Sequence, residues 1–531
     1  MPLPDSSEPW PPASTEKPRA LYDAWGAWYS GDPDQLSAYY GGTGNHNRLS
    51  PQPRPSQYRG GVVGTVARWF WGAPPDPDQL PDRLHVPLAS DISSTSADLL
   101  FGEAPTLAVD EQGENKPTQD RLDWLMTEGG MHAALLEAGE IASAYGGVFL
   151  RASWDKQVAD HPLVDAIAPD CAAPEWRSGR LVAVTLWKVL EERDDNSVVR
   201  HLERHEPGVV YHGLYEGSRD ALGRKLPLAD REETKGFAVN GQGGIPTGAK
   251  RLAVVYIPNM RPHRRIRGTP LGRSDYSGVE HLMDALDETW SSLIRDIDLG
   301  KARLIIPDSF LDVHGRGQAS SFASERKAFT PVKGLQGAGD KFTDMIEQVQ
   351  FAIRVDEHIA AATAFTEQIV RGGGYSAQTF GESGDLAITA TEVQHRERRS
   401  FSTRGRKIGY ITPELASFSE TVLEMDAANF RTKGVVPQRP TIEWPDGVQD
   451  APEATARTIQ MLDSARALSD ETKVRMAHKD WDDEQIAKEV KRLKDENPPV
   501  DIRAGAGLVN GQDDAPPDDA PEEDSPPERD E

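Results

Sequence analysis

A single cysteine in 531 residues, Cys171, leaves no partner for an intrachain disulfide and no thiolate set for a zinc site. No run approaches the ~18 apolar residues a membrane-crossing helix needs, so no membrane partner is expected. The opening MPLPDSSEPWPPASTEKP has no apolar core segment, so no secretion signal is expected. Basic charge is short: 59 Lys and Arg stand against 85 Asp and Glu, a net of −26. That balance argues against a protein that grips phosphates. It still permits DNA as a client that slides along a repelling wall. Between Asp513 and Glu531 ten acids face one arginine, so the tail accounts for only part of the excess. Catalytic signatures are missing as well. There is no G-x-x-x-x-G-K-[ST] phosphate loop, no H-E-x-x-H and no G-x-S-x-G elbow. No enzyme activity, cofactor or metal is expected. His201 and His205 in HLERH lie in a strand-like segment and would not share a helical face.

Hydrophobic residues are only 37% and mean hydropathy is −0.57, low for a chain of this length. Either much of the chain is exposed or partner subunits complete its burial. Its length predicts several lobes, and no internal repeat is visible.

Local patterns divide the chain. Residues 1–18 are proline-rich and read as mobile; Leu21, Trp25 and Trp28 then sit at near-helical spacing, and 41–60 reads as a loop. Met131, Ala134, Leu135, Ala138, Ile141, Ala142 and Tyr145 make one helical face, stopped at Gly146-Gly147 before a strand at Val148. Segments 181–190, 197–205, 208–215 and 251–257 are β-branched and aromatic and predict one antiparallel layer. A basic loop holds Arg261, Arg264, Arg265 and Arg267. The strongest helix follows over 277–299, with Val279, Leu282, Met283, Leu286, Trp290, Leu293, Ile294 and Ile297 in one stripe. Ser277 and Glu280 read as its capping box. Residues 302–353 break the pattern with RLIIP and MIEQVQFAI around a Gly-, Ser- and Lys-rich middle. A second helix runs from Asp356 to Gly372-Gly373-Gly374, and a polar loop follows over 375–386. A long Arg-rich segment, 387–429, is expected to kink or break at Gly405, Gly409 or Thr412-Pro413. TIEW reads as a short strand. Short helices follow between Ala451 and Lys494, with Asp482 and Gln485 as a capping box; 497–531 reads as disordered.

The run ASDISSTSADLLFGEAPTL (89–107) places an apolar helical stripe directly before Leu-Phe-Gly-Glu-Ala-Pro. That opening resembles portal proteins of tailed double-stranded DNA phages, in the siphophage-type branch. The helix–insertion–helix order and Gly381-Glu382-Ser383-Gly384-Asp385-Leu386-Ala387 are similar to the same family. SDETKVRMAHKDWDDEQIAKEV (469–490) resembles the crown of actinobacteriophage portals. The likeness covers most of 85–495; the N-terminal 60 residues and the acidic tail lie outside it.

The resemblance implies an α+β, mainly helical portal fold. Its parts would be an N-terminal arm (1–60), a wing (61–276), a first stem helix (277–301), a clip (302–353) and a second stem helix (354–371). A tunnel loop (372–386), a long wing helix with a return strand (387–448), a crown (449–495) and the acidic tail (496–531) would complete it. It implies a homo-oligomeric ring of about twelve at one capsid vertex. Double-stranded DNA would pass through without sequence-specific binding. The other implied partners are the terminase packaging motor, a head-completion adaptor, and capsid and scaffold proteins. The virion, and the host cytoplasm during assembly, are the implied locations. Expected channel-lining residues are Glu280, Asp284, Asp287 and Glu288 on the first stem helix, and Tyr375, Gln378, Glu382 and Asp385 near the tunnel loop. Arg261, Arg264, Arg265, Arg267, Arg398 and Arg399 read as subunit contacts, DNA-proximal groups or solvated charge. The alternative is a virion adaptor or scaffold-type binding protein without a channel.

Overall fold

The computed structural model describes residues 3–5, 7–40, 83–109, 115–194, 196–237, 239, 243–300, 303–307, 329–332, 347–349, 354–381, 390–445, 452–464, 468–478, 481 and 483–496. The chain divides into two units, Met1–Gly447 and Val448–Glu531.

The large unit opens with α1 (Glu16–Ser30) and α2 (Pro33–Ser37). Asp32 caps α2, its carboxylate accepting from the Asp34 backbone N–H at 2.9 Å. The proline-rich opening packs down where it is described: Trp10 is buried edge-on against Trp187, with ring centroids 5.1 Å apart, and its backbone N–H donates to the Asp220 carbonyl at 3.0 Å. An indole hidden from water explains why this stretch docks despite its prolines. Next come α3 (Leu88–Phe101), β1 (Thr106–Ala108), α4 (Lys116–Thr127) and α5 (Met131–Tyr145). Met131, Ala134, Leu135, Ala138 and Ala142 are buried as their spacing predicts. Gly146 closes α5 at φ +83, where a Cβ would stand 2.7 Å from the Arg273 backbone.

That closure feeds β2 (Gly147–Ser153), which pairs with β3 (Leu163–Ile167) on one side. An antiparallel meander follows: β4 (Ala172–Arg177), β5 (Arg180–Glu192), β6 (Val198–Glu206), β7 (Val209–Ser218) and β8 (Ala221–Leu226). A short β9 (Gly244–Pro246) joins it through β7. The segment expected to complete this layer does otherwise. β10 (Val254–Pro258) leaves the meander and pairs with β2, Tyr256 opposite Phe149. β2 is almost wholly buried, so its second edge needs backbone partners that water cannot supply.

The meander carries one buried polar group of note. His201, Glu203 and His205 share a sheet face because strand residues two apart point the same way. Glu203 accepts from Arg151 at 2.8 Å and bonds His205 at 2.6 Å; His212 stacks on Phe237 with centroids 4.1 Å apart. Among the described residues no cluster of three or more His, Cys, Asp and Glu suits a metal ion. Burial pushes the His212 pKa down from 6.5 to about 4, partly opposed by Glu203. Between those values the unfolded chain binds the extra proton and the folded chain does not. Stability is therefore full above about pH 6.5 and falls as pH drops toward 4. The expected loss between pH 7.5 and 5.0 is about 2 kcal/mol, a window in which Glu203 stays ionised in the folded state. Denaturant unfolding of the wild type and His212→Gln at both pH values checks this; an unchanged pH dependence in the variant contradicts it.

After the basic loop the chain forms α6 (Glu280–Gly300), the strands β11 (Arg303–Pro307), β12 (Phe329–Val332) and β13 (Glu347–Val349), and α7 (Val355–Gly373). β11 is central, parallel to β12 and antiparallel to β13. Residues 390–429 then form one helix, α8 (Ala390–Asn429). The expected interruption is absent: the helix runs through Gly405, Gly409 and Pro413. Here the Thr412 hydroxyl donates to the Ile408 carbonyl at 2.8 Å and accepts from the Trp444 indole at 2.9 Å. Ile411, Leu415, Phe418 and Val422, on either side of the proline, are buried in the main core and support the helix across it. β14 (Thr441–Glu443) returns to pair with β1, Ile442 opposite Leu107. The C-terminal unit contains α9 (Pro452–Ser464), α10 (Asp470–Ala477) and α11 (Asp483–Glu496). Ser469 caps α10 through the Thr472 N–H at 3.3 Å. The proposed Asp482 cap, the loop read over 41–60 and the acidic tail lie outside the described residues.

Candidate functional site

Two helices of opposite direction with a small sheet between them define the site. At one end Asp296 of α6 meets His358 of α7 at 3.1 Å; at the other, Gly372 lies against Val279. The pair packs on α1 and α3 through Trp25, Trp28, Ile92, Met283, Leu286, Ile369 and Val370. The apolar stripe of α6 outlasts this support: Ile294 is 47% and Ile297 39% exposed.

The start of α6 differs from the expected capping box. Helix begins at Glu280, not after Ser277. The Glu280 carboxylate accepts from the Gly278 N–H at 2.7 Å, from the Trp25 indole at 3.1 Å and from Arg265 at 2.6 Å. A side chain drawn into tertiary bonds replaces the local cap. The other acids of this helix divide sharply. Asp284 pairs with Arg83 at 2.6 Å. Asp287 is buried to 1% exposure and accepts from the Tyr40 hydroxyl at 3.0 Å and the Val86 N–H at 2.9 Å, with the His85 ring at 2.9 Å. Residues near α2 and ahead of α3 thus cover this face, and Asp287 points inward rather than to a wall. Glu288 keeps a half-exposed carboxylate 3.5 Å from Arg83. Tyr40 feels this crowding: burial, then the Asp287 charge, push its pKa well up.

The base of the hairpin is a buried polar knot. Asp275, just before α6, accepts from Ser143 of α5 at 2.6 Å, Tyr375 at 2.7 Å, Lys407 of α8 at 2.5 Å and Asn259 at 2.8 Å. Lys407 also donates to Ser96 of α3 at 2.6 Å and to Tyr375 at 2.9 Å. Burial pushes the Lys407 pKa down and the Asp275 charge pushes it up. Both members of the ion pair are hidden, at 2% and 0% side-chain exposure, and every bond is charge-assisted or fully enclosed. The knot fixes where both hairpin helices leave the body. Tyr375, expected on a tunnel wall, belongs to this knot. Sequence reading passed over Lys407, yet the signal was present: Ser400, Thr403, Lys407, Ile411, Leu415 and Phe418 form one buried stripe, and a lysine inside it requires a buried anion.

Gln378 lies partly exposed in the 3-10 turn Ala377–Phe380, beyond the left-handed cap at Gly374. Glu382 and Asp385 lie outside the described residues. Of the expected basic contacts, Arg261 donates to the Pro270 carbonyl, Arg265 holds Glu280, and Arg399 donates to the Arg371 carbonyl at 2.7 Å. Arg264, Arg267 and Arg398 are exposed.

These features define an α+β subunit whose helix hairpin rises from a buried polar base, with a small sheet along its connection. The phage portal protein family of the SPP1 Gp6-like type matches residues 33–498, and the chain belongs to that family. No curated protein matches it. Among solved structures, the neck of a native gene transfer agent particle, computed with C12 symmetry, is similar at 12% identity and a TM-score of 0.37, over 74% of this chain and 89% of that one. The neck of the empty particle, computed with C6 symmetry, is similar at 13% identity and a TM-score of 0.38, over 81% and 96%.

Proposed function

We propose that this portal protein assembles as a ring of about twelve copies at one capsid vertex, through which DNA enters during packaging and leaves during infection. The family match across 33–498 is the observation that carries this reading. α6 and α7 serve as the stem, the β11–β13 segment as the clip, the region after Gly374 as the tunnel loop, and the C-terminal unit as the crown. The clip end docks the terminase packaging motor and later the head-completion adaptor. The subunit acts mechanically and electrostatically and is not an enzyme. The knot around Asp275 suits that role: a hairpin on a stiff root transmits load, where a solvated root would yield. Glu288 is the exposed acid of the described channel set, and Gln378 is partly exposed; Glu288 presents a charge that repels phosphates.

Glu288→Lys and Gln378→Ala tests this wall. The expected outcome is intact rings, because both side chains are partly or fully exposed, with DNA filling of capsids cut several-fold for Glu288→Lys. Capsids filled to wild-type level by rings of reversed charge would remove the sliding-wall mechanism.

A further inference from the structure

Arg273 is 7% exposed, and its Nε has no hydrogen-bond partner. It is held there by its backbone. Its N–H donates to the Met260 carbonyl at 3.0 Å, its carbonyl accepts from Asn259 at 3.1 Å, and Gly146 packs against its Cα. The nearest charges make matters worse: Arg264 and Arg406 both act on it with the same sign, and both are exposed. Among the described residues, Asp275 is the carboxylate that acts on it, and its oxygens are already taken by Ser143, Tyr375, Lys407 and Asn259. Among the described residues no carboxylate forms an ion pair with Arg264, Arg273 or Arg406. A recessed guanidinium without a counter-charge is less favourable than a paired one. In a chain of net charge −26, a buried cation left unpaired beside two more is out of place.

We infer that Arg264, Arg273 and Arg406 form a socket for carboxylates presented by a second copy of this chain. The inference rests on the ring reading above. Two features favour a carboxylate over nucleic-acid phosphate. Arg273 is recessed at 7% exposure, which suits a single flexible Asp or Glu side chain better than the phosphate of a rigid duplex. Its charge also needs an anion continuously, whereas DNA is only passing. The acidic surplus of the chain guarantees such groups on a neighbouring subunit, and a like-charged ring requires local pairs of this kind to offset its repulsion.

The test uses the full-length chain in two ways. In the first, Arg406→Lys keeps the charge and adds an amine that a zero-length carbodiimide couples to a touching carboxylate. Isotope-mixed rings are cross-linked and mapped by mass spectrometry. The expected product is an amide joining position 406 of one copy to an Asp or Glu of another. In the second, the double variant R264E/R406E should raise the protein concentration for half-assembly at least ten-fold, while the isolated chain melts as the wild type does. A cross-link confined to one chain, or unchanged assembly, overturns the socket. Loss of binding to a short double-stranded DNA probe with assembly unchanged assigns the cluster to phosphates and also overturns it. A wild-type chain that forms no ring overturns the ring reading and the socket together.

Discussion

Replacing Lys407 by methionine will destabilise the large unit by about 3–5 kcal/mol, the range for removing one partner of a buried ion pair. The Asp275 carboxylate would remain, enclosed at 0% side-chain exposure, with hydroxyl and amide donors but no cation. The double variant Asp275→Asn with Lys407→Met should recover part of the loss, since it removes the stranded charge while keeping the volume. Denaturant unfolding of the two single variants and the double variant measures the coupling. Additive losses would mean the pair is not the unit described here. A stable Lys407→Met subunit would mean that the hairpin root is not held by charge.

The second large effect concerns the covered face of α6. Asp287→Ala deprives the Tyr40 hydroxyl, the Val86 N–H and the His85 ring of their common partner. Unsatisfied buried donors cost about 1–3 kcal/mol each, and the Val86 amide is fixed by its backbone. We expect a loss of about 2–4 kcal/mol and faster hydrogen exchange over 31–40 and 83–87. Glu288→Ala, one residue on, should change stability by less than ~0.5 kcal/mol because its carboxylate is half exposed. Equal effects at the two positions would contradict the division of this face into an inner and an outer half.

The helical parts were the most legible. The α5 stripe, its glycine stop and the two hairpin helices follow from the spacing of their apolar residues, because an amphipathic period is set by the local chain. Strand partners were less so. β10 carries the same β-branched signal as the meander, and only the buried second edge of β2 decides where it goes. Pro413 predicted a break because local cost was visible while the core contacts of Ile411 and Leu415 were not. The acid positions show the limit most clearly. Asp284, Asp287 and Glu288 look alike in sequence. Their difference comes from Arg83, His85, Val86 and Tyr40, which reach them from some 200 to 250 residues away in the chain. The family resemblance, by contrast, rested on order along the chain, and the match over 33–498 bears it out.

Ring formation is the claim on which the rest depends. Native mass spectrometry with negative-stain imaging, on the full-length chain alone and co-expressed with the capsid proteins of the same virion, tests it most directly. The account predicts closed rings of about a dozen subunits with a central hole. A monomer or dimer under both conditions would contradict it and return the chain to the reading of a virion adaptor without a channel.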